Sequence, residues 1–190
     1  MTVGEYGYVT RGIGYGQSID PTWTPMNLRE DRFEPATGQV NTEQSTYGEN
    51  GQQFNDVVYS PYLDVWSMVG TAGSIFVGHG IGTTVFTSVT SNSIQSINSV
   101  AASPEGLIAV GNNNTIRVSG NGQGWTSISI AGVGGQNLNK VIYRNGTYAI
   151  CGSNGTIIGG DSLSNLTKKS TNVSVNFVTI DFEDIFVAID

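Results

Sequence analysis

Charge is scarce in this chain. Only 12% of its 190 residues are Asp, Glu, Lys or Arg, about half the usual share of a soluble domain. Between Thr71 and Gly135 the charged residues are Glu105 and Arg117 alone. Lys168-Lys169 is the one adjacent basic pair, and it reads as a solvated turn. Duplex nucleic acid is therefore not an expected partner, because binding phosphates needs concentrated positive charge. A single cysteine, Cys151, excludes an internal disulfide framework and a thiolate metal cluster within the chain. A single histidine, His79, excludes a multi-histidine metal site. No cofactor or metal site is expected. Apolar runs long enough for a signal peptide or a membrane span are missing as well, so synthesis in a cytoplasm and no membrane span are expected. Nor does any stretch sustain a helical period. What remains is a polar chain whose hydrophilicity comes from Asn, Ser, Thr and Gln, with 26 glycines among them; that composition suits turns and strands.

The glycines are not scattered at random. Val69-Gly70-Thr71-Ala72-Gly73-Ser74-Ile75 returns as Val110-Gly111-Asn112-Asn113-Asn114-Thr115-Ile116, and again as Cys151-Gly152-Ser153-Asn154-Gly155-Thr156-Ile157. From Gly70 to Gly111 and from Gly111 to Gly152 the step is 41 residues. An Asn and a short apolar strand precede each copy, at Asn55, Asn98 and Asn139. A fourth copy opens at Asn176-Phe177-Val178 and enters its second strand at Ile185. A period near forty is the length of one four-stranded β-propeller blade. The predicted fold is all-β: a partial β-propeller of blades of about 41 residues over 55–190, with three full repeats and the start of a fourth. Such a fragment cannot close a ring by itself, so the natural chain is expected to continue or to be covered by another subunit. Cys151 stands where Val69 and Val110 stand, which predicts a small buried hydrophobe rather than a nucleophile.

Residues 1–54 lie outside the repeat. They are spaced by glycine and broken by Pro21, Pro25 and Pro35, and they carry Tyr6, Tyr8, Tyr15, Trp23 and Phe33. Too polar to bury a core and too aromatic for a linker, they read as an extended, irregular arm that gains order by lying on something else. The favoured surface is a partner subunit, with those five aromatics as docking residues. The alternatives are an arm packed on its own propeller and a first blade whose sequence has drifted.

Ser119-Gly120-Asn121-Gly122-Gln123-Gly124-Trp125-Thr126 resembles the Asp-box turn of sialidase-type and related β-propellers, with Asn121 in the place of the acidic residue. The resemblance implies blades, a side chain at Asn121 that caps a hairpin turn, and a Trp125 packed between blades. The corresponding stretches are degenerate: Gly78 to Thr87 has no Trp, and Leu166 replaces it in the third repeat. In the family these turns are structural and do not imply a sialidase. The repeat region has only Arg117 and Arg144 for a substrate carboxylate, and its acidic residues fall in predicted turns, so no catalytic residue is assigned. A glycosidase or sialidase-like fragment is the least favoured reading.

In composition and organisation the whole chain also resembles tailed-bacteriophage virion proteins such as fibres, baseplate parts and head-decoration proteins. That resemblance implies a virion location, attachment to other virion subunits through 1–54, a symmetric multi-subunit assembly, and blades that can meet a protein or a host-surface glycan. A second resemblance, to bacterial Asp-box propellers, implies an assembly factor or adhesin instead.

Overall fold

The computed structural model describes residues 53–83 and 85–181 throughout, and only the backbone of strands within 2–45 and at 187–189. Three four-stranded antiparallel units follow one another. The first has β6 (Phe54–Ser60), β7 (Val65–Gly70), β8 (Ile75–His79) and β9 (Val85–Val89). The second has β10 (Ile97–Ser103), β11 (Gly106–Gly111), β12 (Thr115–Ser119) and β13 (Thr126–Ser127). The third has β14 (Leu138–Arg144), β15 (Thr147–Gly152), β16 (Ile157–Gly160) and β17 (Thr167–Lys169). A further pair, β18 (Phe177–Ile180) and β19 (Val187–Ile189), begins a fourth. The first strands β6, β10, β14 and β18 lie side by side in succession. They are the inner strands of consecutive blades, as the repeat predicts.

The repeated glycine has a specific cause. In each blade the first strand carries a bulge one residue after its start, where the register shifts between Phe54 and Asp56, Ile97 and Ser99, and Leu138 and Lys140. The chain entering that bulge presses against the end of the second strand. A Cβ on Gly70, Gly111 or Gly152 would stand 2.0, 2.1 or 2.2 Å from the carbonyl oxygen of Gln53, Ser96 or Asn137. No side chain fits there, whatever the φ. The turn that follows places two residues in the left-handed region: Ala72 and Gly73, Asn113 and Asn114, Asn154 and Gly155. Gly and Asn adopt that conformation at least cost, which is why they recur at these positions.

The bulge also aims a side chain at the neighbouring blade, a common use of bulges. Asn55 Nδ2 donates to the carbonyl of Ile97 at 2.8 Å, Asn98 Nδ2 to that of Leu138 at 2.9 Å, and Asn139 Nδ2 to that of Phe177 at 2.7 Å. One asparagine per blade thus stitches each inner strand to the next. The fourth copy differs from the sequence reading. Its register shift lies between Phe177 and Thr179, so Val178 holds the bulge position and Asn176 belongs with Asn137. Consistent with this, Asn113 N donates to Asn137 Oδ1 at 3.1 Å and Asn154 N to Asn176 Oδ1 at 3.2 Å.

The core lies between blades. Val65, Val69, Ile75 and Val77 of the first blade pack against Ile97, Val100, Leu107, Ala109 and Trp125 of the second. Ile108, Val110 and Ile116 of the second meet Leu138, Val141, Tyr148 and Ile150 of the third. Val69, Val110 and Cys151 are fully buried, as are Ile75 and Ile116. Ile157 is only half-buried, unlike its counterparts.

Within the N-terminal arm the backbone forms β1 (Thr2–Val3), β2 (Val9–Gly12), β3 (Trp23–Pro25), β4 (Asn27–Glu34) and β5 (Gln39–Ser45). Strands β1, β2 and β3 pair as an antiparallel sheet. Strand β4 pairs with β5 and runs parallel to β9, extending the first blade to six strands in the order β5-β4-β9-β8-β7-β6.

Candidate interaction surface

Ser119 and Asn121 organise the turn after β12. Ser119 Oγ accepts from the amide of Gly122 at 2.9 Å, and Asn121 Oδ1 accepts from those of Gln123 and Gly124 at 2.9 and 3.0 Å. One amide oxygen thereby satisfies two backbone donors, the chemistry for which Asx side chains suit turns. Trp125 follows, 2% exposed, with its indole N–H donating to the carbonyl of Gly122 at 3.0 Å. It fills the space between the first and second blades. Asn121 thus caps the turn and Trp125 is buried behind it.

Register shows what the sequence concealed. Val118 pairs with Thr126, Gly159 with Thr167, and Val77 with Thr87. The residues just before those threonines are Trp125, Leu166 and Phe86, and all three are buried. In the first blade Phe86 holds the matching position and packs with Phe54, Met68 and Phe76. No Ser-x-Asn-Gly frame announces it.

Of the predicted docking residues, Tyr6, Tyr8 and Tyr15 lie outside the described residues. Trp23 and Phe33 are placed by their backbone alone, in β3 and β4. Their side-chain contacts lie outside what is described.

An aromatic surface lies instead at one end of the first blade, where the turns Pro61–Asp64 and Gly80–Thr83 sit together. Gly80 N donates to the carbonyl of Asp64 at 2.8 Å, and Trp66 Nε1 donates to that of Ile81 at 3.3 Å. Tyr59 and Trp66, cross-strand partners, have ring centroids 5.1 Å apart. Tyr59 Oη donates to Asp64 Oδ1 at 2.5 Å. That bond to a carboxylate, helped by slight desolvation and the negative charge, holds the phenol above its ordinary pKa. Tyr62 is 57% and Ile81 66% exposed. At the border, exposed His79 Nε2 meets Gln123 Nε2 of the second blade at 2.9 Å. Apolar tips rimmed by hydrogen-bonding groups are the usual make-up of a contact surface.

Two hollows lie among the described residues. One, of about 460 Å³, is lined by Glu105, Ser119, Asn121, Thr126 and Leu163 between the second and third blades. The other, of about 290 Å³, lies on the inner strands. There Lys140 Nζ meets Asp56 Oδ2 at 3.0 Å, and the same carboxylate oxygen accepts from Ser99 Oγ at 2.7 Å and Val100 N at 3.1 Å. This network ties three blades together and leaves the carboxylate oxygen fully used.

Radially arranged four-stranded sheets joined by inner strands define a β-propeller protein. The solved structures agree. The WD40 β-propeller domain of Doa1 is similar with a TM-score of 0.50 and 19% identity over 65% of this chain and 43% of that one. YCF48 from Cyanidioschyzon merolae is similar with a TM-score of 0.61 and 11% identity over 93% of this chain and 58% of that one. The likeness is one of fold, and the chain spans about half the length of these structures. No family model and no curated protein matches the sequence.

Proposed function

We propose that this chain is a non-enzymatic structural subunit of a larger assembly, of the kind that tailed-bacteriophage virions use as fibre, baseplate or decoration components. The observation that carries the interaction role is the ridge of Tyr62 and Ile81. These large apolar side chains stand in water on two mutually bonded turns, where they contribute nothing to the core. The virion assignment rests on composition: a charge-poor surface rich in Asn, Ser, Thr and Gly behind an N-terminal segment unlike the repeat. In this reading the ridge meets a protein neighbour or a sugar face, and residues 1–54 contribute attachment. The Ser119–Trp125 turn favours a second reading, an Asp-box propeller serving as an assembly factor or adhesin outside a virion. A Tyr62→Ala/Ile81→Ser double variant tests the shared claim. It should keep its melting temperature and lose its place in the assembly; retained incorporation would remove the ridge from the contact.

A further inference from the structure

On the side away from the second blade, the first blade carries the same face that the second and third blades bury. Phe54, Trp66, Met68, Phe76 and Phe86 occupy the positions that Ile97, Leu107, Ala109, Arg117 and Trp125 occupy in the second blade. It is the most aromatic of the three such faces, and residues 1–54 before it do not carry the repeat. Left open, it would expose a broad apolar patch of the kind that drives aggregation. Yet Phe54 is 4% exposed, Phe76 1%, and Met68 and Phe86 0%. The third sheet packs on the second blade and β18 on the third, so among the described residues these strands are engaged elsewhere. The N-terminal strands are in the right place. Strand β1 lies beside β6, as β6 lies beside β10 and β10 beside β14. Strands β1, β2 and β3 form an antiparallel sheet in chain order, which is the order of the inner three strands of a blade. Strand β4 then locks onto the outer edge of the first blade, with Asn27, Leu28 and Arg29 in register with Val85, Phe86 and Thr87.

We infer that the segment holding β1 to β5 is a surrogate blade, which seals the aromatic face of the first blade within the same chain. This segment takes the place of a blade on that face despite sharing no repeat sequence. On this inference the arm lies on its own first blade, the alternative to the favoured docking on a partner subunit. A partner meets what the cap leaves free, including the polar edge strand β5.

Two measurements on the full-length protein test this. In the unaltered chain, amide exchange over β6 and β9 should be as slow as over β10 to β12, with β4 protected alongside. Exchange of β4 and β9 at the rate of an unstructured peptide would overturn the inference. An Arg29→Cys/Thr87→Cys variant should be bridged by a short bis-maleimide, and mass spectrometry of a mixture of isotopically light and heavy protein should find the bridge within one chain. Bridges only between light and heavy chains, or none, would overturn it too. Neither outcome bears on the Tyr62 and Ile81 ridge, so this inference and the proposed function fail separately.

Discussion

Gly111 and Ser96 approach so closely that a methyl group on the glycine would stand 2.1 Å from the serine carbonyl oxygen. The atom in the way is backbone, fixed by the bulge and by the bond from Asn112 N to the same carbonyl at 2.9 Å. Gly111→Ala should therefore cost about 3 kcal/mol, the upper range for overpacking. Gly120→Ala, where nothing lies within 4 Å, should change stability by no more than ~0.5 kcal/mol. Urea denaturation of the two variants checks the contrast. Equal effects would mean that the repeated glycine is not there for close approach.

Trp125→Ala should lower stability by about 3–5 kcal/mol, the range for deleting a large buried aromatic. Its indole is surrounded by both adjoining blades. Trp125→Phe should recover a good part of the loss, since Phe86 serves at the matching place in the first blade. Thermal melts of the two variants test this. Alanine tolerated without loss would put Trp125 outside the core.

Much of this architecture is legible in the sequence, but for reasons the sequence does not show. The period of 41 marks the blades because each must rebuild the same bulge and turn. The repeat alone does not tell that Gly70, Gly111 and Gly152 are demanded by a carbonyl oxygen rather than by a positive φ. Phe86 escaped because the loop before it shares no residues with Ser119–Gly124; only strand register aligns the two. Asn176 misled because an Asn beside an apolar strand looks the same one residue either side of the bulge. The ridge of Tyr62 and Ile81 draws on two hairpins, and a linear reading does not join them.

Ala72 is the weak member of a repeated set. Its φ of 52° is a conformation that costs an ordinary L-residue roughly 1 kcal/mol, and the equivalent residues are Asn113 and Asn154. Ala72→Asn should raise stability by about 0.5–1 kcal/mol without touching the core. A melting temperature that fails to rise would show that the turn is not strained.

Burial pushes the Cys151 thiol up to about 11, against the partial opposition of Lys140. The folded state thus holds its proton where the unfolded chain, near 9, gives it up. Stability from this group is complete below about pH 9 and drains away as pH rises toward 11. The loss amounts to roughly 2–3 kcal/mol. Cys151→Val, which copies Val69 and Val110, should flatten that part of the stability profile. Equally steep alkaline loss in the variant would assign it to other groups, such as Tyr148, whose phenol is also raised, chiefly by burial.

The central claim is that the protein works by being held in an assembly, and sedimentation of the natural polypeptide from its source tests it most directly. The account predicts that the protein travels with a particle or multi-subunit complex far heavier than its 20.1 kDa chain, and that the Tyr62→Ala/Ile81→Ser form leaves it. A natural polypeptide that sediments as a free monomer, with and without those substitutions, would contradict it.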